Sequence, residues 1–238
     1  MPPPRPAHED NGRPRTRGGW DPVGTAAGRR AVHAERGTAR GQRTRTLIVD
    51  AARRVFERDG YVDANVDGIV AAAGVSRGSF YTYFPSKREV FRELAAAVGE
   101  RVSRAVAAEP DGHLDPVAAL ERSNRRYVEV YRDNAALYGL IEQIATMDEA
   151  VHRQRLASRQ AHVERVAATI RRWQARGVAD PGVDPPTTAG ALVSMTSNFC
   201  YWWFVGDDPY DTDAACATLN QVWVRAVDLR RRPRPSWR

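Results

Sequence analysis

The sequence predicts an all-α protein, and three observations support that fold class. Apolar residues recur at intervals of three and four over most of the chain, which is typical of helices with one buried face. No stretch alternates apolar and polar residues with the period of two that a half-buried strand requires. The pairs Asp115-Pro116 and Asp184-Pro185 each offer an N-cap followed by a proline at the first helical position.

Length and charge limit the classes of protein that need to be considered. The 238 residues suffice for one or two domains with a sizeable core. The formal net charge is +7, but residues 1–45 hold 10 arginines against 4 acidic residues, and residues 229–238 hold 5 arginines and no acidic residue. Basic segments of this kind favour polyanions such as nucleic acids, although a segment that only keeps the protein in solution is the alternative interpretation.

The cysteine content and the apolar runs bear on location. Cys200 and Cys216 both fall inside predicted helices, which indicates a reducing compartment more than a disulfide framework. The N-terminal stretch has no apolar segment of signal-peptide type, and no apolar run reaches the length of a membrane span. We therefore expect a cytoplasmic protein without a membrane partner.

The most informative stretch is 65–87, NVDGIVAAAGVSRGSFYTYFPSK, which predicts two short helices around a tight turn. Asn65 and Ser76 are suited to cap these helices, because their side-chain oxygens accept hydrogen bonds from free backbone N–H groups. Gly74 follows the first helix, at a position that favours left-handed backbone. The second helix ends before Pro85, since the residue preceding a proline avoids helical geometry. This arrangement is a helix-turn-helix motif.

The segment AAAGVSRGSFYTYFPSKREVF resembles the DNA-binding signature of the tetracycline-repressor (TetR) family of bacterial transcription regulators. The resemblance covers residues 43–94. It implies an N-terminal three-helix helix-turn-helix DNA-binding domain, followed by a C-terminal helical domain for ligand binding and dimerisation. The DNA-binding residues that it implies are Asn65, Ser76, Arg77, Gly78, Ser79, Tyr81, Thr82, Tyr83 and Lys87.

Within this set, the resemblance divides base contacts from phosphate contacts. Arg77, Gly78 and Thr82 are expected to face the major groove, where arginine can donate two hydrogen bonds to guanine and glycine permits close approach. A phosphate or solvent contact is the alternative for Arg77. Phe80 is expected to fill the core rather than contact a base. The expected phosphate contacts are Asn65, Ser79, Tyr81, Tyr83 and Lys87.

Four segments make up the predicted domain organisation. Residues 1–40 are rich in proline, glycine and arginine, which predicts a disordered arm or, equally, a translation start assigned too far upstream. Residues 41–88 are the predicted DNA-binding domain, and residues 89–230 are the predicted ligand-binding and dimerisation domain. Residues 231–238 form a basic tail.

The last two predicted helices, about 185–204 and 211–230, carry apolar residues on more than one face. A helix with two apolar faces must be packed against other surfaces on both of them. The protein core can cover one apolar face. The simplest cover for the other face is the same helix pair of a second copy, which gives a four-helix bundle about a two-fold axis. A deeply buried pair in a monomer is the alternative, but the family resemblance favours the dimer. The predicted interface residues are Val193, Thr196, Cys200, Leu219, Val222 and Trp223.

A small-molecule site requires a few polar groups beside apolar surface, and the C-terminal part of the chain offers such a set. Each member taken alone fits a core or surface position equally well. Together they predict a pocket without identifying its occupant. The predicted lining residues are Asn124, Tyr127, Tyr131, Tyr138, His152, Phe199 and Trp203.

The sequence contains none of the common metalloprotease, dithiol, nucleophile-elbow or nucleotide-loop patterns, so we predict no enzyme activity, no metal and no cofactor. A helical enzyme and a DNA-binding scaffold without sequence preference are the rival classes. We expect a homodimeric transcriptional repressor that leaves double-stranded operator DNA when a small, mostly apolar effector binds. An activator, or a regulator without small-molecule input, is the alternative.

Overall fold

The computed structural model describes residues 39–107 and 115–230. By its internal contacts the chain divides into Met1–Gln42, of which only the start of the first helix is described, and Arg43–Arg238. The described residues form nine α-helices and no β-strand. These are α1 (Ala39–Asp63), α2 (Val66–Ala73), α3 (Arg77–Tyr83), α4 (Lys87–Ala105), α5 (Pro116–Arg132), α6 (Ala135–Ala145), α7 (Glu149–Ala175), α8 (Pro185–Phe204) and α9 (Thr212–Ala226).

The predicted all-α fold, with an N-terminal helix-turn-helix and a helical C-terminal part, is confirmed. The predicted arm, residues 1–40, lies outside the described residues except for its last two residues, which open α1. The basic tail, residues 231–238, lies outside them entirely. The predicted boundary between residues 88 and 89 stays a prediction.

The long helix α1 bends at Gly60. Its backbone there has φ 74° and ψ 172°, a conformation that glycine adopts without the steric strain of a side chain. Beyond the bend, α1 continues to Asp63. Because the bend interrupts the helical hydrogen-bond ladder, the carbonyls that follow it need partners from elsewhere in the fold.

Helices α2 and α3 form the helix-turn-helix, and both predicted caps are present. The Oδ1 atom of Asn65 accepts a hydrogen bond from the N–H of Gly68 at 2.8 Å. The Oγ atom of Ser76 accepts one from the N–H of Ser79 at 3.1 Å. Gly74 ends α2 in the left-handed conformation, with φ 66°. The local sequence therefore determines this motif largely through its caps and its turn.

The helix-turn-helix shares one hydrophobic core with α1, α4 and α6. Phe80 of α3 has no exposed surface, which confirms its prediction as a core residue. The rings of Phe56 in α1 and Phe91 in α4 meet edge to face, with centroids 5.4 Å apart. Because protein cores are close-packed, a displacement of α4 must be followed by the helices that pack on it.

Helices α5, α7, α8 and α9 surround two further cores. One contains Trp173 of α7 and Trp223 of α9, and the other contains Tyr127 and Tyr131 of α5 with Trp203 of α8. The aspartate caps predicted before α5 and α8 are confirmed by hydrogen bonds to the N–H groups of the first turns. These four helices form the body that the sequence analysis assigned to ligand binding and dimerisation.

A buried carboxylate fastens α4 to the start of α7. Asp148, the N-cap residue of α7, accepts hydrogen bonds from the N–H groups of Ala150 and Val151 and from Arg92 at 2.9 Å, and it also pairs with Arg88 at 3.3 Å. Burial opposes ionisation of this carboxyl, but the bonds from Arg92 and the helix N-terminus outweigh burial and hold its pKa below the usual value. Asp148 is therefore ionised at neutral pH and ties α4 to α7.

Candidate functional site

The exposed end of α3 carries the side chain best suited to read a base. Arg77 is the first residue of α3, and its guanidinium pairs with Asp67 of α2 and lies 5.8 Å from the ring centroid of Tyr81. Both members of the ion pair are well exposed. In the free protein the guanidinium is thus held at the helix-turn-helix surface, and a guanine contact requires Arg77 to exchange Asp67 for the base.

Gly78, the residue after Arg77, is exposed at the surface of α3. A Cβ atom placed on Gly78 has only the Ser76 Oγ atom within 4 Å, at 3.9 Å, so packing within the protein does not require glycine here. The Thr82 hydroxyl donates a hydrogen bond to the Gly78 carbonyl at 3.1 Å. This surface can therefore approach another molecule closely, which is what entry into a DNA groove demands.

The other predicted DNA-binding residues fall into two groups. Asn65 and Ser76 use their side-chain oxygens as helix caps. Tyr81 is 45% exposed, whereas Tyr83 and Ser79 are half-buried. A contact of any of these residues with phosphate stays a prediction.

The structure gives Lys87 partners within the protein, and its predicted phosphate contact stays a prediction. Its ammonium group donates to the carbonyl oxygens of Tyr61 at 2.8 Å, Val62 at 3.1 Å and Ala64 at 2.5 Å, and it lies 4.8 Å from the centroid of the Tyr61 ring. An ammonium group has three donors, and here all three are used. In this conformation Lys87 has no donor for a phosphate, and it instead satisfies the carbonyls beyond the bend in α1.

Two adjoining cavities among the C-terminal helices are lined by residues predicted to bind the ligand. The smaller has a volume of about 440 Å³, and the predicted ligand residues Tyr127, Tyr131 and Tyr138 line it. The rings of Tyr131 and Tyr138 are stacked, with centroids 4.0 Å apart. Helix α4 supplies part of the same wall through Ala95, Val98, Gly99 and Val102.

The tyrosines give this cavity a neutral, hydrogen-bonding lining. Burial raises the pKa of Tyr127, Tyr131 and Tyr138 well above the usual value, and the proximity of Tyr138 adds to the effect on the other two. All three hydroxyls are therefore protonated at neutral pH and can donate as well as accept hydrogen bonds. An apolar chamber with a few such groups has the composition of a small-molecule site.

The larger cavity has a volume of about 680 Å³ and adjoins the smaller one. Asn124 lines it and donates a hydrogen bond to Asn220 of α9 at 2.9 Å. Four residues line both cavities and form what we call the shared wall: Tyr127, His162, Arg165 and Val193. Burial, with a contribution from the charge of Arg165, lowers the pKa of His162 to about 4, so this imidazole is neutral at physiological pH.

Three predicted ligand residues line neither cavity. His152 of α7 is half-buried at another position, and the rings of Phe199 and Trp203 pack on one another and on Tyr210. The sequence showed that these residues belong to helices with apolar faces, but it did not show which face of α8 meets the cavities. The wall uses Val193, together with Ser194, Ser197, Asn198 and Tyr201, from a different side of α8.

The structure also corrects most of the predicted dimer interface. Val193, Thr196, Cys200, Leu219 and Trp223 are buried within the single chain. The Trp223 indole, for example, donates a hydrogen bond to the Thr196 hydroxyl at 2.9 Å. Only Val222 in the predicted set is exposed, at 40%. The residues predicted to need a second copy are covered by α5, by α7 and by one another.

Sequence reasoning missed the polar residues that α7 contributes to the cavities. These include Arg155, Ser158, Arg159, His162 and Arg165. Arginines on a long helix are usually solvated, so the prediction for α7 rested on its apolar residues instead. A signal existed in the spacing, because His162 and Arg165 lie one turn apart beside the apolar residues Val163 and Val166.

The described part of the chain holds neither a candidate metal site nor a membrane-spanning helix. No group of three or more histidine, cysteine, aspartate or glutamate side chains there is arranged to hold a metal ion. None of the helices in residues 39–107 and 115–230 has the length and hydropathy needed to cross a membrane.

The fold and the exposed α3 define a helix-turn-helix DNA-binding protein, and comparison with known families identifies which kind. The model of bacterial regulatory proteins of the tetR family matches residues 48–94. The model of the C-terminal domain of the transcriptional regulator EthR matches residues 120–228. The chain belongs to the TetR family of bacterial transcriptional regulators, as the signature around the helix-turn-helix predicted.

Individual relatives agree with this assignment. The chain is 26% identical over 208 residues to the transcriptional regulator EthR of Mycobacterium tuberculosis, with 85% of this chain and 96% of EthR covered. It is 41% identical over 64 residues to the regulator SrpR of Pseudomonas putida, but that match spans only 27% of this chain and 30% of SrpR. Among solved structures, Salmonella enterica GusR has a TM-score of 0.66 at 20% identity, covers 81% of this chain and 99% of its own, and supports the fold alone.

The open backbone at Gly78 provides a test of groove entry. We expect Gly78→Ala to leave the thermal unfolding midpoint unchanged or higher, because alanine is the better helix former and the protein has room for its Cβ atom. We expect the same variant to bind DNA more weakly, because the added methyl group meets the groove. Binding is measured by fluorescence anisotropy on a duplex selected by the unmodified protein from a random pool.

The control for this test is Gly190→Ala, on α8, where a Cβ atom also meets nothing within 4 Å. This variant should retain full DNA affinity. Unaltered affinity of Gly78→Ala for the selected duplex would show that α3 does not enter the groove at this residue.

Proposed function

We propose that the protein is a homodimeric transcriptional repressor that binds a near-palindromic operator and is released by a small, mostly apolar effector. One observation carries this proposal: α4 begins at the helix-turn-helix, and its second half walls the tyrosine-lined cavity. The protein would act on DNA in the bacterial cytoplasm, without enzyme activity or a cofactor. A TetR-family activator, or a regulator without small-molecule input, is the alternative.

We assign DNA recognition to the exposed surface of α3. Arg77 is placed to donate two hydrogen bonds to a guanine edge after leaving Asp67, while Gly78 and Thr82 lie beside it along the helix. A dimer of such motifs reads two half-sites about 34–36 Å apart, one helical turn of DNA. The caps at Asn65 and Ser76 would fix the orientation of the two helices and contact phosphate at most secondarily.

The proposed dimer interface is the outer surface of α8 and α9. Large apolar side chains remain exposed there, with Trp202 at 55% and Val222 at 40%. Exposure of a tryptophan side chain to water is energetically unfavourable, and tryptophan is enriched in protein interfaces. An isologous pairing of this surface would form a four-helix bundle from two copies, without opening the cores that bury the residues first predicted for this role.

Release of DNA would proceed through α4. An occupant of the smaller cavity presses on Ala95, Val98 and Gly99, and the shared core of α4 with α1, α2 and α3 makes the helix-turn-helix follow. The ligand need not touch DNA. It must only bind the form with altered half-site spacing better, by about 1.4 kcal/mol for each tenfold loss of operator affinity.

The interface assignment predicts different outcomes for exposed and buried positions. Trp202→Asp should give a soluble monomer with unchanged helical content, because a charge then faces the partner. Val193→Asp should instead unfold the chain, since it buries an unpaired carboxylate in a core. Light scattering and circular dichroism distinguish these results. A Trp202→Asp protein that remains fully dimeric would place the interface elsewhere.

The effector site is tested by filling the smaller cavity. Compounds that raise the unfolding temperature are first screened for the ability to release the protein from its selected duplex. Ser158 lines this cavity directly beside Gly99, and Ser158→Trp should abolish both effects by narrowing the cavity. Its neighbour Ala157 is exposed and lines neither cavity, so Ala157→Trp should respond like the unmodified protein.

Two results would contradict the proposal. If Ser158→Trp responds to an effective compound with unchanged affinity, that compound binds outside this cavity. If compounds bind the cavity and none of them weakens the DNA complex, the protein is a regulator without small-molecule input.

A further inference from the structure

Arg165 lies in the shared wall between the two cavities without a partner for its charge. Its Nε atom is buried and has no hydrogen-bond partner. Among the described residues, the structure gives its guanidinium neither a hydrogen bond nor an ion pair. The residue as a whole is half-buried, and partial desolvation of a cation without a counter-charge is unfavourable.

Other arginines at the smaller cavity show the usual arrangement. Arg155 pairs with Glu142 at 2.6 Å, and Arg159 donates to the Ser194 hydroxyl at 2.7 Å. Arg165 is on the same helix, but it is turned to the junction of the cavities instead. A buried Nε atom without a partner therefore distinguishes Arg165 from these two arginines of α7.

The surroundings of Arg165 do not supply the missing negative charge. Among the described residues, the acidic side chain of the smaller wall is Glu142, which already pairs with Arg155. His162 beside Arg165 is neutral. The charged residues described in the larger wall are all basic: Arg122, Arg126, Arg165, Arg172 and Arg176. Burial lowers the pKa of Arg165, which reflects the cost of holding its charge here.

We propose that the effector is an apolar carboxylic acid whose carboxylate pairs with Arg165 at the shared wall while its apolar body occupies the adjoining cavities. This inference rests on the proposed function of the cavities as the effector site. A guanidinium presents parallel N–H donors that match the two oxygens of a carboxylate. The Tyr127 hydroxyl, in the same wall, is protonated and can donate to the same group.

The composition of the shared wall suits a carboxylate on an apolar body. Arg165 contributes one unpaired positive charge, which a carboxylate neutralises. The remainder of the shared wall is formed by the aromatic Tyr127, the neutral His162 and the apolar Val193, which suit an apolar body.

Matched acids and amides provide the test. Isothermal titration calorimetry compares decanoate with decanamide, and 4-phenylbutanoate with 4-phenylbutanamide, on the full-length protein. We expect at least one acid to bind about tenfold or more tightly than its amide, since hydrogen bonds to charged groups are the stronger ones. Arg165→Gln should bind acid and amide within about twofold of each other.

Two further variants separate the charge from the fold. Arg171 is exposed on the same helix and lines neither cavity, so Arg171→Gln should keep the preference of the unmodified protein. Arg165→Lys keeps the charge without the planar fork and should retain part of the preference. Removal of an unpaired cation should not lower the unfolding midpoint of Arg165→Gln, so loss of binding cannot be assigned to unfolding.

The inference is overturned if the amides bind as tightly as the acids, if no acid binds, or if Arg165→Gln still prefers the acid. Displacement of the selected duplex by neutral compounds alone would reject this inference and leave the proposed function intact. Acids that bind through Arg165 without weakening the DNA complex would support the site and reject the proposed release mechanism.

Discussion

The fold depends on how α4 is held at its N-terminal half. At its first residue, Lys87 donates all three ammonium hydrogens to carbonyls beyond the bend in α1. The next residue, Arg88, and Arg92, about one turn after it, pair with the buried carboxylate of Asp148 at the start of α7. Charged hydrogen bonds to otherwise unsatisfied groups are costly to break. These two ties make α4 a rigid connection between the DNA-binding helices and the helices around the cavities.

In the proposed mechanism, this connection joins the recognition surface to the cavities. Val90 and Phe91 of α4 are packed in the core that includes the helix-turn-helix, and Val98 belongs to the same core while it also lines the smaller cavity beside Gly99. The stacked rings of Tyr131 and Tyr138 form another part of the wall of that cavity. We propose that an occupant displaces α4 and that the DNA-binding helices then move with it.

Local chemistry made the helix-turn-helix predictable. The caps at Asn65 and Ser76 and the turn at Gly74 act within a few residues, so the sequence shows them directly, and the buried position of Phe80 follows from helical spacing. The partners of Lys87 within the protein could not be predicted, because they lie 23 to 26 residues earlier in the chain and are backbone carbonyls, which no sequence pattern reveals. The charge of the residue was evident, but its environment was not.

The same limit affected the C-terminal helices. The apolar residues on two faces of α8 and α9 correctly indicated that both faces are packed against other surfaces. The sequence did not show that α5 and α7 cover Val193 and Trp223. The spacing of Arg165 from His162 indicated a position beside the apolar face of α7, but it did not show that the Nε atom of Arg165 is buried without a partner. Burial without a partner is a property of the packed helices, and it appears only when the positions of α5, α7 and α8 are known.

The most direct test of the account is a distance between the two DNA-binding motifs of the dimer, measured by double electron–electron resonance on Ala71→Cys, an exposed position in α2. The native Cys200 and Cys216 are buried, and burial raises the pKa of Cys200 to about 12, so the spin label should react at the new residue. The account predicts a distance that changes by several ångströms when a compound that releases the duplex is bound. An unchanged distance, together with complete release of DNA by that compound, would contradict it.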